Sequence, residues 1–538
     1  MRRFCFAAVV IIFAFECSLP AGVAAGSPRA ARQDEAQVGK VNFPTNCSRS
    51  VQAKMERGLA LLHSFEYLEA EQEFTNASQL DPRCALAYWG QAMALYEPLW
   101  NFPSAQTLAL GREDIAKAQK LGATDARIRA YIAAAAAFYE RAQLRPAARV
   151  AAYSSAMEKL YREHPEDNEA GELYALSLIA MAQMGVDDLA NRKKAVAILN
   201  PIFAKYPDNP GAAHYLIHAT DVRELAPEGL AAARVYAKIA PQSAHALHMP
   251  SHIFRRLGMW QEVIDSNLAS AAAAAGATRE HHGDAGYQFH ALDFLDYAYL
   301  QSGQEAKARE LVAELKKVPQ GSASDVIDAQ NRFAARNAME LHRWKEAAAL
   351  EIPKERLVWL DYTYWTRAIG AARSGDVEGA RDGVQKLVEI AQAVKSAQMQ
   401  KAGGGLAAMG MAVDPSEAAA WLAYAEGKHD EAVRILRGAA DHEDGRDDEP
   451  FATPAREMLA DVLHELQRPA EALAAYKEVL KNYPNRFDAL YGAARAADAL
   501  KDSHTASNFY VKLISICPPN ADRPELQEAR TYIAAHRN

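Results

Sequence analysis

Cysteine is scarce in this chain. Five cysteines occur in 538 residues, and only Cys47, Cys84 and Cys517 lie beyond the first 25 positions. That excludes a small disulfide-built scaffold and leaves room for one bridge. No apolar run reaches the ~20 residues needed to span a bilayer, the longest being Phe4 to Phe15, ended by Glu16. Charge is balanced: 60 Lys plus Arg against 68 Asp plus Glu give a net charge of −8, so there is no basic footprint for nucleic acid. Strand signals are nearly absent, whereas alanine runs such as Ala133 to Ala137 and Ala271 to Ala275 favour helix. There is no Walker A loop, no Rossmann glycine fingerprint, no Gly-x-Ser-x-Gly elbow and no HExxH.

Arg2 and Arg3, the apolar run and the small residues up to Ala25 have the layout of a secretory signal peptide, residues 1–25, cut after Ala25. Export to the periplasm or the medium is therefore expected, with no transmembrane anchor after cleavage. Cys17 lacks the preceding Leu and small residues of a lipoprotein site. Residues 26–45 read as a linker. Cys47 precedes one predicted helix and Cys84 follows the next, and in an antiparallel hairpin those ends are neighbours. A Cys47–Cys84 disulfide is expected, with two buried free thiols as the alternative.

What the chain does have is a rhythm. Ala472, Tyr476 and Pro484 recur 34 residues later as Ala506, Tyr510 and Pro518, and a matching pattern stands at Gly58, Ala70, Phe74, Ala77 and Pro82. A 34-residue period with these residues resembles the tetratricopeptide repeat, a helix-turn-helix unit. The resemblance implies an all-α fold, a right-handed superhelical solenoid of tetratricopeptide-like hairpins. It would comprise an N-terminal solenoid over 46–400, a glycine-rich hinge over 401–415 around Gly403-Gly404-Gly405, and a C-terminal array over 416–538. The acidic stretch Asp441 to Glu449 absorbs a step of 40 residues between Ala432 and Ala472, and reads as a solvated insertion rather than a calcium loop.

The chain also has a histidine crowd. Eight of its 16 histidines lie between His214 and His290. If units start at Pro210, Ala244 and Phe289, then His214/His218 and His248/His252 are i, i+4 pairs in the same register, and His245, His290 and Asp293 share their surface. In tetratricopeptide repeats such places line the concave groove, where Glu172 is expected one unit earlier. Asp221 and Asp296 are expected to orient imidazoles through their second nitrogen. Pro250 interrupts the helix between His248 and His252: either the helix starts later, or a bend aims the two rings.

Two imidazoles one turn apart can chelate a single ion, and neutral imidazole suits zinc, copper or iron. The expectation is a transition metal or small ligand held in the groove by His214, His218, His245, His248, His252, His290, Asp293 and Glu172, with an open coordination position that would permit chemistry. The alternative is a scaffold without catalysis, binding a peptide or an envelope protein in that groove. His281, His282, His342, His429, His464 and His504 read as surface or linker residues. His63 falls on the concave side. Trp89 and Met93 beside Tyr88, Tyr96 and Trp100 read as a packed helix before an aromatic wall, and Arg255 and Arg256 offer charge near His252. The segment His245 to Trp260 is similar to exported bacterial repeat proteins, and that likeness adds no chemistry.

Overall fold

The structure is a computed structural model that describes residues 37–99, 102–279, 285–318, 321–353, 360–399, 413–447 and 453–536. The leader, His281, His282, Trp100 and the glycine-rich part of the expected hinge lie outside the described residues. Everything below concerns the unit Gln37–Asn538. Among the described residues all regular structure is helical and there is no strand, so the fold is all-α. Most helices pack chiefly on the next and secondarily on the one after, the arrangement of stacked hairpins in a solenoid.

Local chemistry starts the helices that matter for the site. Asp167 accepts from the Ala170 N–H at the head of Asn168–Gln183. Asn209 accepts from Ala212 N–H, and Pro210, whose missing N–H costs nothing at a first helical position, opens Pro210–Thr220. Ser243 does the same for Ala244–His248 through Ala246 N–H.

Small residues then let helices close on aromatic ones. A Cβ added at Gly58 or Gly90 would lie 2.8 or 2.4 Å from the Phe74 ring, and one at Gly492 would lie 2.2 Å from Tyr476. Phe74 and Tyr476 are fully buried, each 16 residues before a glycine that receives it. Cys47 and Cys84 are joined by a disulfide across this first hairpin, with Cα atoms 5.0 Å apart. Trp89 stacks at 5.6 Å on Phe43 and meets Tyr131 edge-on, so with buried Tyr96 it belongs to the core and forms no ligand wall.

One large apolar core runs from Phe43 to Leu341 and a second from Ala335 to Ala506. The C-terminal hairpins also fold back onto the middle ones. Trp260 Nε1 donates to Asn485 O at 2.8 Å, and Asn485 Nδ2 donates to Gly258 O at 2.9 Å. Gly258 has φ +65°, and a Cβ there would meet Pro484 O at 2.1 Å, so this turn requires glycine. Buried Arg486 donates to Glu457, Glu340 and Tyr297. The acidic stretch corrects the reading of a solvated insertion: His429–Asp444 extends into it, Asp444 binds Arg456 and Asn482, and Asp447 binds Arg256. Its carboxylates join parts of the fold that the sequence places far apart.

Candidate functional site

Six histidines meet as two separate triads. His214, His218 and His245 bring their ring nitrogens within 4.8 Å of one another, and so do His248, His252 and His290. The first triad is buried; in the second His248 is buried, His252 half-buried and His290 exposed. The expected single convergence on one surface is thus divided: His245 joins the first group and His248, three positions on in the same short helix, joins the second.

Pro250 divides the unit that starts at Ala244 into Ala244–His248 and Pro250–Arg256, joined at Met249, whose backbone stays helical. The helix starts where the register placed it, and the break lies between the two rings. The unit expected to begin at Phe289 is already helical at Ala285, the first described residue there, so its helix starts before the place the register gave it.

Hydrogen bonds fix the rings. His214 Nδ1 lies 2.6 Å from His63 O, an acceptor only, so Nδ1 carries the proton and Nε2 presents its lone pair. His245 Nε2 stands 2.9 Å from that atom. In the second triad His248 Nδ1 donates to Asn267 Oδ1 at 2.7 Å, Asn267 being held by its own bond to Val263 O. His252 Nδ1 donates to Asp221 Oδ2 at 2.9 Å. Both Nε2 atoms are left as acceptors, facing each other at 3.0 Å. Two lone pairs at that distance repel unless a proton or a cation lies with them.

Burial favours the neutral form of four of these rings. It pushes His214 down to about 3 and holds His218, His245 and His248 well below the usual imidazole value, with neighbouring imidazoles adding to the effect. Asp221 is the reverse: burial opposes its charge, but His252 and Arg256 outweigh that and keep it well below the carboxylate range. Phe65 packs against all three rings of the first triad, closest to His214 at 4.4 Å, and Phe294 against all three of the second, at 4.7 Å from His248.

Three expected site residues are held by other partners, although Asp293 stays within electrostatic reach of His290. Asp293 is taken by Arg336 at 2.7 Å and Arg332 at 3.1 Å, and does not join an imidazole set. Asp296 accepts from Arg336 and Asn337 and orients no histidine. Both aspartates turn to arginines some 40 positions on, which helical register within one unit does not reveal. Glu172 gathers with His63 and Glu169 in a third buried group rather than with His214. Asp221 does orient His252. Arg256 is engaged by Asp221 and Asp447, and Arg255 lies over the Phe294 and Tyr297 rings.

Register reasoning missed Glu169, Asn267, Tyr215 and Phe65. Glu169 has a signal, since it precedes Glu172 by three and shares its helix face. The others come from neighbouring helices or a turn and have none.

Residues 417–487 and, overlapping them, 457–506 match the tetratricopeptide repeat family. None of the curated proteins matches the chain. Among solved structures it is similar to a tetratricopeptide repeat protein from Parabacteroides merdae at 14% identity, covering 55% of this chain and 98% of that one, with a TM-score of 0.31. Human IFIT1, in a dimer with PPP-AAAA, is 12% identical over 85% of this chain and 94% of that one, TM-score 0.34. Yeast Tom70 is 13% identical over 89% and 87%, TM-score 0.29. TM-scores this low carry no argument about activity. The 34-residue rhythm, the stacked hairpins and the family match agree for the C-terminal part, where residues 417–506 carry tetratricopeptide repeats.

Proposed function

We propose that this repeat protein binds transition-metal ions in its two histidine triads. The observation that carries the reading is the pair His248 and His252: each has its Nδ1 proton committed to a fixed acceptor, and the two Nε2 lone pairs converge at 3.0 Å. Imidazoles oriented through the second nitrogen are the ordinary preparation of a metal ligand. Two nitrogens bound to one tetrahedral ion at 2.0–2.1 Å lie roughly 3.3 Å apart, close to what both triads offer. Three neutral imidazoles suit zinc, copper or iron and leave a coordination position open, so that a bound water or dioxygen could be activated there.

Export is part of the proposal, supported by the signal-peptide pattern and by a Cys47–Cys84 bridge that suits an oxidising compartment. The second reading, a scaffold that binds a peptide or an envelope protein, is favoured by the family match over 417–506, because tetratricopeptide repeats suggest protein–protein interaction. The two are compatible if the C-terminal repeats recruit a partner to a metal-bearing body.

Elemental analysis of the untagged protein tests the metal reading. His214→Ala and His248→Ala should each lose about one equivalent of zinc, copper or iron while keeping the helical far-UV spectrum. Folded protein that holds none of these ions and cannot be reloaded with them would defeat it.

A further inference from the structure

The third buried group lies outside both triads. His63 closes the Gln52–His63 helix, while Glu169 and Glu172 stand on one face of the first turns of Asn168–Gln183. His63 Nε2 is 2.6 Å from Glu169 Oε2 and 3.4 Å from Glu172 Oε2, and no more than 1% of any of the three side chains is exposed. Among the described residues the only ion-pair partner of either glutamate is this histidine. The nearby Arg127 is occupied by Asp167. Two carboxylates are therefore buried against one imidazole, an arrangement that is costly for every ion left uncompensated.

Two further observations point to a ligand. Neither oxygen of Glu172 has a hydrogen bond of normal geometry, although the Asn209 side chain approaches it. A buried carboxylate that meets a donor set without satisfying itself is the exception that calls for an explanation. Second, the backbone is brought hard against the group at Gly211, where a Cβ would lie 2.2 Å from Glu172 Oε2 and 2.8 Å from His63 Nδ1. Gly211 is second in the Pro210–Thr220 helix, so the positive end of that helix faces the carboxylates. His63 is itself held through its other nitrogen, with Nδ1 2.9 Å from the Tyr215 hydroxyl.

We propose that His63, Glu169 and Glu172 form a third metal site, distinct in chemistry from the triads and suited to a harder divalent ion, Mn2+ or Fe2+. One imidazole and two carboxylates give a mostly oxygen donor set, whereas the triads are all nitrogen. A divalent ion cancels the charge of both glutamates and takes the place of the proton between His63 and Glu169. The site also touches the first triad, because the His63 carbonyl accepts from His214 Nδ1. One residue thus binds in the third site by its ring and orients a triad ligand by its backbone.

The test uses the full chain, stripped of metal, given no more than two equivalents of zinc for the two triads, and titrated with Mn2+ while electron paramagnetic resonance follows the free ion. One Mn2+ per chain is expected to bind. Glu169→Gln and Glu172→Gln should weaken that binding at least tenfold, and Gly438→Ala should leave it unchanged. If either glutamine variant fails to fold, Tyr215→Phe takes its place, with a 10–100-fold loss expected from freeing the imidazole. No Mn2+ or Fe2+ uptake by the parent chain, or uptake untouched by these changes, overturns the proposal. Glutamine variants that melt higher with unaltered uptake would show instead a carboxyl pair sharing a proton. Manganese bound without zinc at the triads would sink the triad reading alone.

Discussion

His248 Nε2 and His252 Nε2 face each other at 3.0 Å, one helical turn apart across the break at Pro250, and each ring is turned to that position by a bond on its far side. Asn267 holds one and Asp221 the other. Losing either orienting group frees a ring without removing a ligand. Asn267→Ala and Asp221→Asn are each expected to lower metal affinity at this triad 10–100-fold while leaving the His214 triad unchanged, as read by competition with a coloured chelator. Equal loss at both triads would show a global rather than a local effect.

The Cys47–Cys84 bridge closes a loop of 37 residues. Chain-entropy reasoning gives it about 3–4 kcal/mol of stability, so the double change Cys47→Ser plus Cys84→Ser should lower the unfolding free energy by that order in urea. Mass spectrometry after alkylation without reductant should leave Cys47 and Cys84 unlabelled and label Cys517.

Arg486 is 0% exposed and ties Glu457, Glu340 and Tyr297 together, joining C-terminal hairpins to the middle of the chain. Arg486→Ala would strand two buried carboxylates, and is expected to cost about 3–5 kcal/mol. Proteolysis should then begin near the contact of Asn485 with Gly258, where the folded-back hairpins are no longer pinned.

Gly90 has no room for a methyl group, which would sit 2.4 Å from the Phe74 ring, whereas a Cβ at Gly438 meets nothing within 4 Å. Gly90→Ala should destabilise by about 1–3 kcal/mol through overpacking. Gly438→Ala, inside an exposed helix face, should be neutral or stabilise by up to ~1 kcal/mol. Thermal melts of the two variants side by side check the contrast.

The sequence by itself determined the helices, the hairpin rhythm and the starts at Pro210 and Ala244, because apolar spacing, capping residues and prolines act within a dozen positions. It also determined that His214/His218 and His248/His252 pair across one turn, since i, i+4 geometry is local and survives the break at Pro250, where Met249 stays helical. Only the tertiary structure decided which side each ring faces among its neighbours. It divided six imidazoles into two triads, drew Asp293 and Asp296 away to Arg336, and moved Glu172 into a group with His63 and Glu169. It also closed the C-terminal hairpins back onto the middle ones through Arg486. Those outcomes depend on packing between helices far apart in the chain, where a buried charge goes to whichever opposite charge or donor the fold brings near, and helical periodicity carries no record of that choice.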